Sequence, residues 1–134
     1  MGRNTIHRII PICFAILTTA SSCDEKEVEY TGIKGVYTCI EASPHSGYRN
    51  YIVEIDEVNN QEGLYIILNF HNTGVNEFIY AQYSSDSILI TDQVSGSLFI
   101  NGTGKVFSDF KRMEINYRTD DGVTELDYQA VFER

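Results

Sequence analysis

Cys23 is the residue of this chain whose surroundings most clearly specify a chemistry. Arg3, His7 and Arg8 form a short basic start, Ile9 to Leu17 is an apolar run broken only by Pro11, and Thr18 to Ser22 are small residues leading into the thiol. A thiol in that place is a substrate for acylation rather than a catalyst. The other candidates for chemistry are weak. His45 and His71 are the only histidines after the leader, and both sit among turn formers, so the three or four ligands of a zinc site are not assembled. Asp120-Asp121-Gly122 lacks the twelve-residue ligand spacing of a calcium loop and reads as a hairpin turn. Gly102-Thr103-Gly104 is not followed by the helix that phosphate cradling needs. Asp56-Glu57 reads as a solvated pair at a strand end, and no serine has a recognisable histidine and carboxylate partner. The expectation is a protein that is not an enzyme, with no metal and no cofactor.

The apolar run is far shorter than the roughly twenty residues that span a bilayer and fits a signal segment, residues 1–22. Ala20-Ser21-Ser22-Cys23 resembles a lipobox, which implies cleavage before Cys23 and lipidation of that residue. Buried acyl carbons contribute about 0.8 kcal/mol each, so two or three chains hold a protein on a membrane almost permanently. Asp24, Glu25 and Glu27 follow within an acidic tether, residues 23–32. In lipoproteins of Bacteroidetes such a stretch resembles an export tag to the outer face of the outer membrane. Cell-surface exposure is therefore expected, with the periplasmic face as the alternative. The folded domain should occupy residues 33–134.

Net charge is −9, and losing residues 1–22 removes two of the ten basic residues and none of the nineteen acidic ones, leaving about −11. Nucleic acid and anionic membrane surfaces would repel such a chain. A partner with a basic face is compatible, which admits an inhibitor or immunity protein acting on an envelope hydrolase. Of three cysteines, Cys39 alone falls within the domain, so no disulfide forms inside it.

Residues 33–134 alternate apolar and polar with a period of two and show almost no helical period. Runs at 35–41, 50–58, 64–70, 77–83, 87–91, 97–107, 110–118 and 124–133 are separated by short turns. These predict an all-β chain of eight antiparallel strands in an up-and-down meander, closing into a small barrel that leaves no open edge. A two-sheet β-sandwich is the alternative, with Gly96, Gly102 and Gly104 marking a strand that crosses between sheets.

Gly35-Val36-Tyr37 opening the first strand, the glycine-punctuated stretch from Ser95 to Val106, and the closing Tyr128-Gln129-Ala130-Val131-Phe132 resemble the small lipocalin-like (calycin-like) β-barrel lipoproteins of Bacteroidetes. The resemblance covers nearly all of the chain after the signal and implies binding of a ligand or partner. Eight strands enclose a space that side chains fill or that holds one small ligand. The inward set is expected to include Tyr37, Tyr51, Val53 and Ile55, then Leu64, Ile66 and Leu68, and further Met113, Ile115 and Tyr117. These are bulky, so a packed core with at most a shallow mouth is expected, against the alternative of a lumen carrying a small lipophilic ligand. Tyr65, Ile67, Phe78, Tyr80 and Phe99 fall on the opposite parity and form a candidate outer patch for a protein or glycan. Asp86-Ser87-Ile88 resembles an O-glycosylation acceptor, with Ser87 modified. The partner's identity is left open, and a monomer is expected.

Overall fold

The computed structural model describes residues 26–134. Cys23, Asp24 and Glu25, like the whole signal segment, lie outside the described residues. Eight strands follow in order: β1 (Gly35–Ser43), β2 (Gly47–Glu57), β3 (Leu64–Leu68), β4 (Phe78–Ser84), β5 (Ser87–Ser95), β6 (Leu98–Val106), β7 (Arg112–Asp120) and β8 (Glu125–Glu133). Each pairs antiparallel with the next, and β8 returns to β1, so the sheet closes into one barrel. Closure rules out the two-sheet sandwich. It also consumes the two edges that a linear meander would expose.

The period-two pattern sets which side chains fill the barrel. Tyr37, Val53, Ile55, Ile79, Ile88 and Ile90 are buried to within 1% exposure, as are Ile100, Met113, Ile115 and Phe132. The lumen is therefore a packed apolar core. β3 corrects the expected facing. Ile67 pairs with Ile55 on one side and Ile79 on the other, so it points inward with them and is fully buried. Tyr65 shares its parity, packs against the core and meets Tyr83 edge-on at 6.2 Å. Leu64, Ile66 and Leu68 turn outward instead. The stretch Leu64-Tyr65-Ile66-Ile67-Leu68 is apolar throughout, so its own period carries no facing; the register with β2 and β4 decides it.

The strand expected to run to Phe70 ends at Leu68. Phe70 lies in a short 3-10 turn, Phe70–Asn72, whose neighbour Asn69 and members His71 and Asn72 all have left-handed φ near +56° (57°, 57° and 55°). That geometry folds Phe70 back into the top of the barrel, 4.6 Å from the Tyr117 ring and 6.3 Å from Phe132. Asn69 fixes the loop, donating from Nδ2 to the Ile52 carbonyl at 2.7 Å and accepting from the Gly74 N–H at 2.9 Å. The other end is closed by the chain termini. Ile33 is fully buried, and the Arg134 guanidinium stacks between the Tyr30 and Tyr37 rings at 3.8 and 4.5 Å. It also donates to the carbonyls of Gly32, Lys34 and Phe110. A Cβ on Gly35 would stand 2.5 Å from Arg134 Nη1, so glycine there admits the clamp.

Candidate functional site

The alternation Tyr37, Cys39, Glu41 carries a carboxylate into the core, because Glu41 has the parity of the two residues before it. Glu41 is 1% exposed. Arg49 is its direct cross-strand partner on β2, and its Nε donates to Glu41 Oε1 at 2.5 Å. The hydroxyls of Tyr51 and Tyr117 both donate to Oε2 through short bonds. His71 Nδ1 lies 2.6 Å from Tyr117 Oη and 3.5 Å from Glu41 Oε2. The Tyr117 proton goes to Glu41, and the Tyr117 oxygen is left to face the His71 ring. Arg49 Nη2 lies 2.9 Å from Nδ1 and 3.2 Å from Nε2 of that ring and donates to the His71 carbonyl at 3.1 Å. The His71 ring stands edge-on to Tyr128 at 4.7 Å, and Tyr128 stacks on Tyr117 at 5.2 Å.

Burial pushes the Glu41 carboxyl up, but the hydrogen bonds from His71, Arg49, Tyr117 and Tyr51 outweigh it and hold the group down at about 2. Burial raises the Tyr51 and Tyr117 hydroxyls, and both stay protonated as donors. Protein donors thus reach both carboxylate oxygens, one on Oε1 and two on Oε2. The cluster is a satisfied polar knot beneath the Phe70–Asn72 turn, suited to fixing that turn in the barrel mouth. Cys39, one pair of residues below Glu41, is buried and its thiol is pushed up to about 12 by burial. Among the described residues no group of three or more metal-ligating side chains converges.

The outside of the barrel carries a different feature. An open depression of about 920 Å³ crosses β5, β6, β7, β8 and the end of β1. One wall is the outward row Leu89, Thr103, Asn116, Gln129 and Ala42, which the register places side by side. The other is Asn101, Arg118 and Asp127, with Thr91 and Asp92 at its β5 end. Ile90, Tyr117 and Tyr128 lie between the two rows with their side chains in the lumen, and their backbone makes the floor together with that of Gly102. A Cβ on Gly102 would come within 2.5 Å of Tyr117 Cβ and 2.6 Å of the Asn116 carbonyl. β6 sits close against β7 there because it carries no side chain, and the depression lies over that point. At its β5 end the ladder is irregular: Thr91 and Asp92 bulge between Ile90 and Gln93. β4 and β5 pair only from Gln82–Leu89 to Ser84–Ser87. Above that, the Gln93 amide stands in for a missing peptide, accepting from the Tyr80 N–H and donating to the Tyr80 carbonyl, both at 2.8 Å.

The expected outer patch survives in part. Phe78, Tyr80 and Phe99 are 43%, 46% and 59% exposed, and the Phe78 and Tyr80 rings meet edge-on at 5.4 Å. Ile67 and Tyr65 leave it for the core, and Ile66 and Leu68, paired with Tyr80 and Phe78, take their places. Ser87 is exposed at the start of β5, with its Oγ 3.2 Å from Asp86 Oδ1. Glu27, of the candidate export tag, is exposed and pairs with Lys111 at 2.5 Å. The groove side chains were not singled out from sequence, since each is an ordinary exposed polar residue until the register aligns them.

The fold defines the protein as an all-β, eight-stranded up-and-down barrel. It is similar to a redesigned β-barrel, b11L5F_LGL, with TM-score 0.51 and 9% identity, over 76% of this chain and 90% of that one. It is also similar to EF1p2_mFAP2b bound to DFHBI, with TM-score 0.54 and 9% identity, over 76% of this chain and 93% of that one. At that identity the likeness concerns the fold. No protein-family model and no curated protein matches the chain.

Proposed function

We propose that the protein is a lipid-anchored, non-catalytic binding module of the bacterial cell envelope, tethered through Cys23 to the outer membrane and working by contact through the outside of its barrel. The observation that carries the binding half is the division of the molecule into a filled lumen and a concave outer face. A carrier of a lipophilic ligand needs the reverse.

The order basic, apolar, small, cysteine in residues 1–23 supports the anchor. So does the filling of the barrel: its interior is packed mainly with apolar side chains, whereas a barrel that itself spans a membrane keeps a polar interior. Residues 26–34 run to the end of the barrel that Arg134 closes, and ten residues from Cys23 to Gly32 reach at most about 35 Å when extended. The barrel would stand close to its membrane, held at that end, with the Phe70–Asn72 end outermost. Growth with an alkyne analogue of palmitate tests this. Labelled protein in the membrane fraction, with the label lost in Cys23→Ser, is the expected result. An unlabelled, freely secreted product would overturn the anchor.

A further inference from the structure

We propose that the depression across β5–β8 is a binding site for a linear, neutral oligosaccharide. The proposal rests on the contact-module reading and gives its partner a chemistry. Thr103, Asn116 and Gln129 are exposed on three adjacent strands in direct register, so their hydrogen-bonding ends repeat at the strand spacing of about 4.8 Å. The groove spans five strands, a length of about 19 Å. A pyranose chain lying across the strands advances by about one strand spacing per ring, so each strand meets one sugar. An extended peptide lying the same way advances about 3.4 Å per residue, out of step with the row.

The side-chain chemistry agrees. Amides and hydroxyls both donate and accept, which suits the vicinal hydroxyls of a sugar. The charged groups of the groove are occupied with their neighbours. Arg118 donates to both Asp127 carboxylate oxygens at 2.8 and 3.2 Å, and Asp92 takes the Asn101 amide at 2.8 Å. Two carboxylates against one guanidinium, on a chain of net charge −9, disfavour an anionic glycan. Leu89, 41% exposed at the β5 end, offers an apolar surface for the C–H face of a terminal ring.

The test is a titration of residues 26–134 and of the full mature chain with cellotetraose, maltotetraose, mannotetraose and xylotetraose, followed by amide chemical shifts. At least one of the four should shift the amides around Thr103, Asn116 and Gln129 at millimolar concentration, with an affinity unchanged between low and high salt. N116A combined with Q129A, two exposed substitutions, should weaken it at least tenfold while leaving the rest of the spectrum in place. No shift with any of the four overturns the proposal, as does a groove that answers only to a polyanion or to a basic peptide. The contact-module reading fails separately, if a lipophilic probe such as a fatty acid shifts the lumen-facing residues Met113 and Ile115.

Discussion

Glu41 is the group that most constrains the interior. Its folded carboxyl is held at about 2, against an ordinary value of 4.5. A depressed carboxyl contributes stability that is complete above its unfolded value and disappears as pH falls through its folded value. The loss should therefore run from about pH 4.5 to about pH 2 and amount to about 3 kcal/mol. Urea unfolding followed across that range should show it. Glu41→Gln removes the charge and leaves the partly exposed Arg49 facing a neutral amide, so it should cost about 1–3 kcal/mol at neutral pH and flatten the acid limb. Cys39 gives a second test. With its thiol at about 12 and fully buried, it should resist iodoacetamide at pH 8 in the folded protein and react once the chain is unfolded in urea. The inward place of Glu41 was legible in the sequence, because it continues the parity of Tyr37 and Cys39. The partners were less so. Arg49 read as part of the turn between the runs 35–41 and 50–58, and faces Glu41 because the strands extend to Ser43 and from Gly47, whereas His71 reaches the carboxylate from a loop whose path no periodicity encodes.

Among the elements, β6 and the loop after β3 decide the shape. Gly102 is required where β6 meets β7, and Gly102→Ala should cost about 3 kcal/mol, the upper end of overpacking penalties, because the new Cβ meets backbone that cannot retreat. Thermal unfolding checks it, and the groove floor should shift with it in amide spectra. At the seam between β4 and β5, Gln93→Ala removes the two bonds that replace the ladder. Hydrogen exchange at the Tyr80 amide should then speed markedly while amides in the β7–β8 ladder keep their protection. Strand order was plain from the short turns and the alternation. The facing of β3 was not, since five successive apolar residues fit either side, and only the pairings Ile67–Ile55 and Ile67–Ile79 choose between them. Phe70 read as the end of a strand for the same reason; the left-handed turn at Asn69, His71 and Asn72 is what sends it into the core. The groove was hidden at this scale too. Thr103, Asn116 and Gln129 lie 13 residues apart in sequence at each step, and they become one surface only through the register of three strands.

At the scale of the whole molecule, the barrel is closed at one end by Phe70 and His71 and at the other by Ile33 and Arg134. Interior and exterior are therefore separated: the packed interior supplies stability, and the proposed contacts fall to the exterior. The sequence conveyed this division as far as bulky inward residues imply a full lumen, and the proposed tether rests on the order of residues before Cys23. Native mass spectrometry of the protein purified from its own cell envelope tests both together. The expected species begins at Cys23, carries the mass of two or three acyl chains and holds no non-covalent small molecule. A chain without acyl mass that retains a lipophilic adduct would contradict the account.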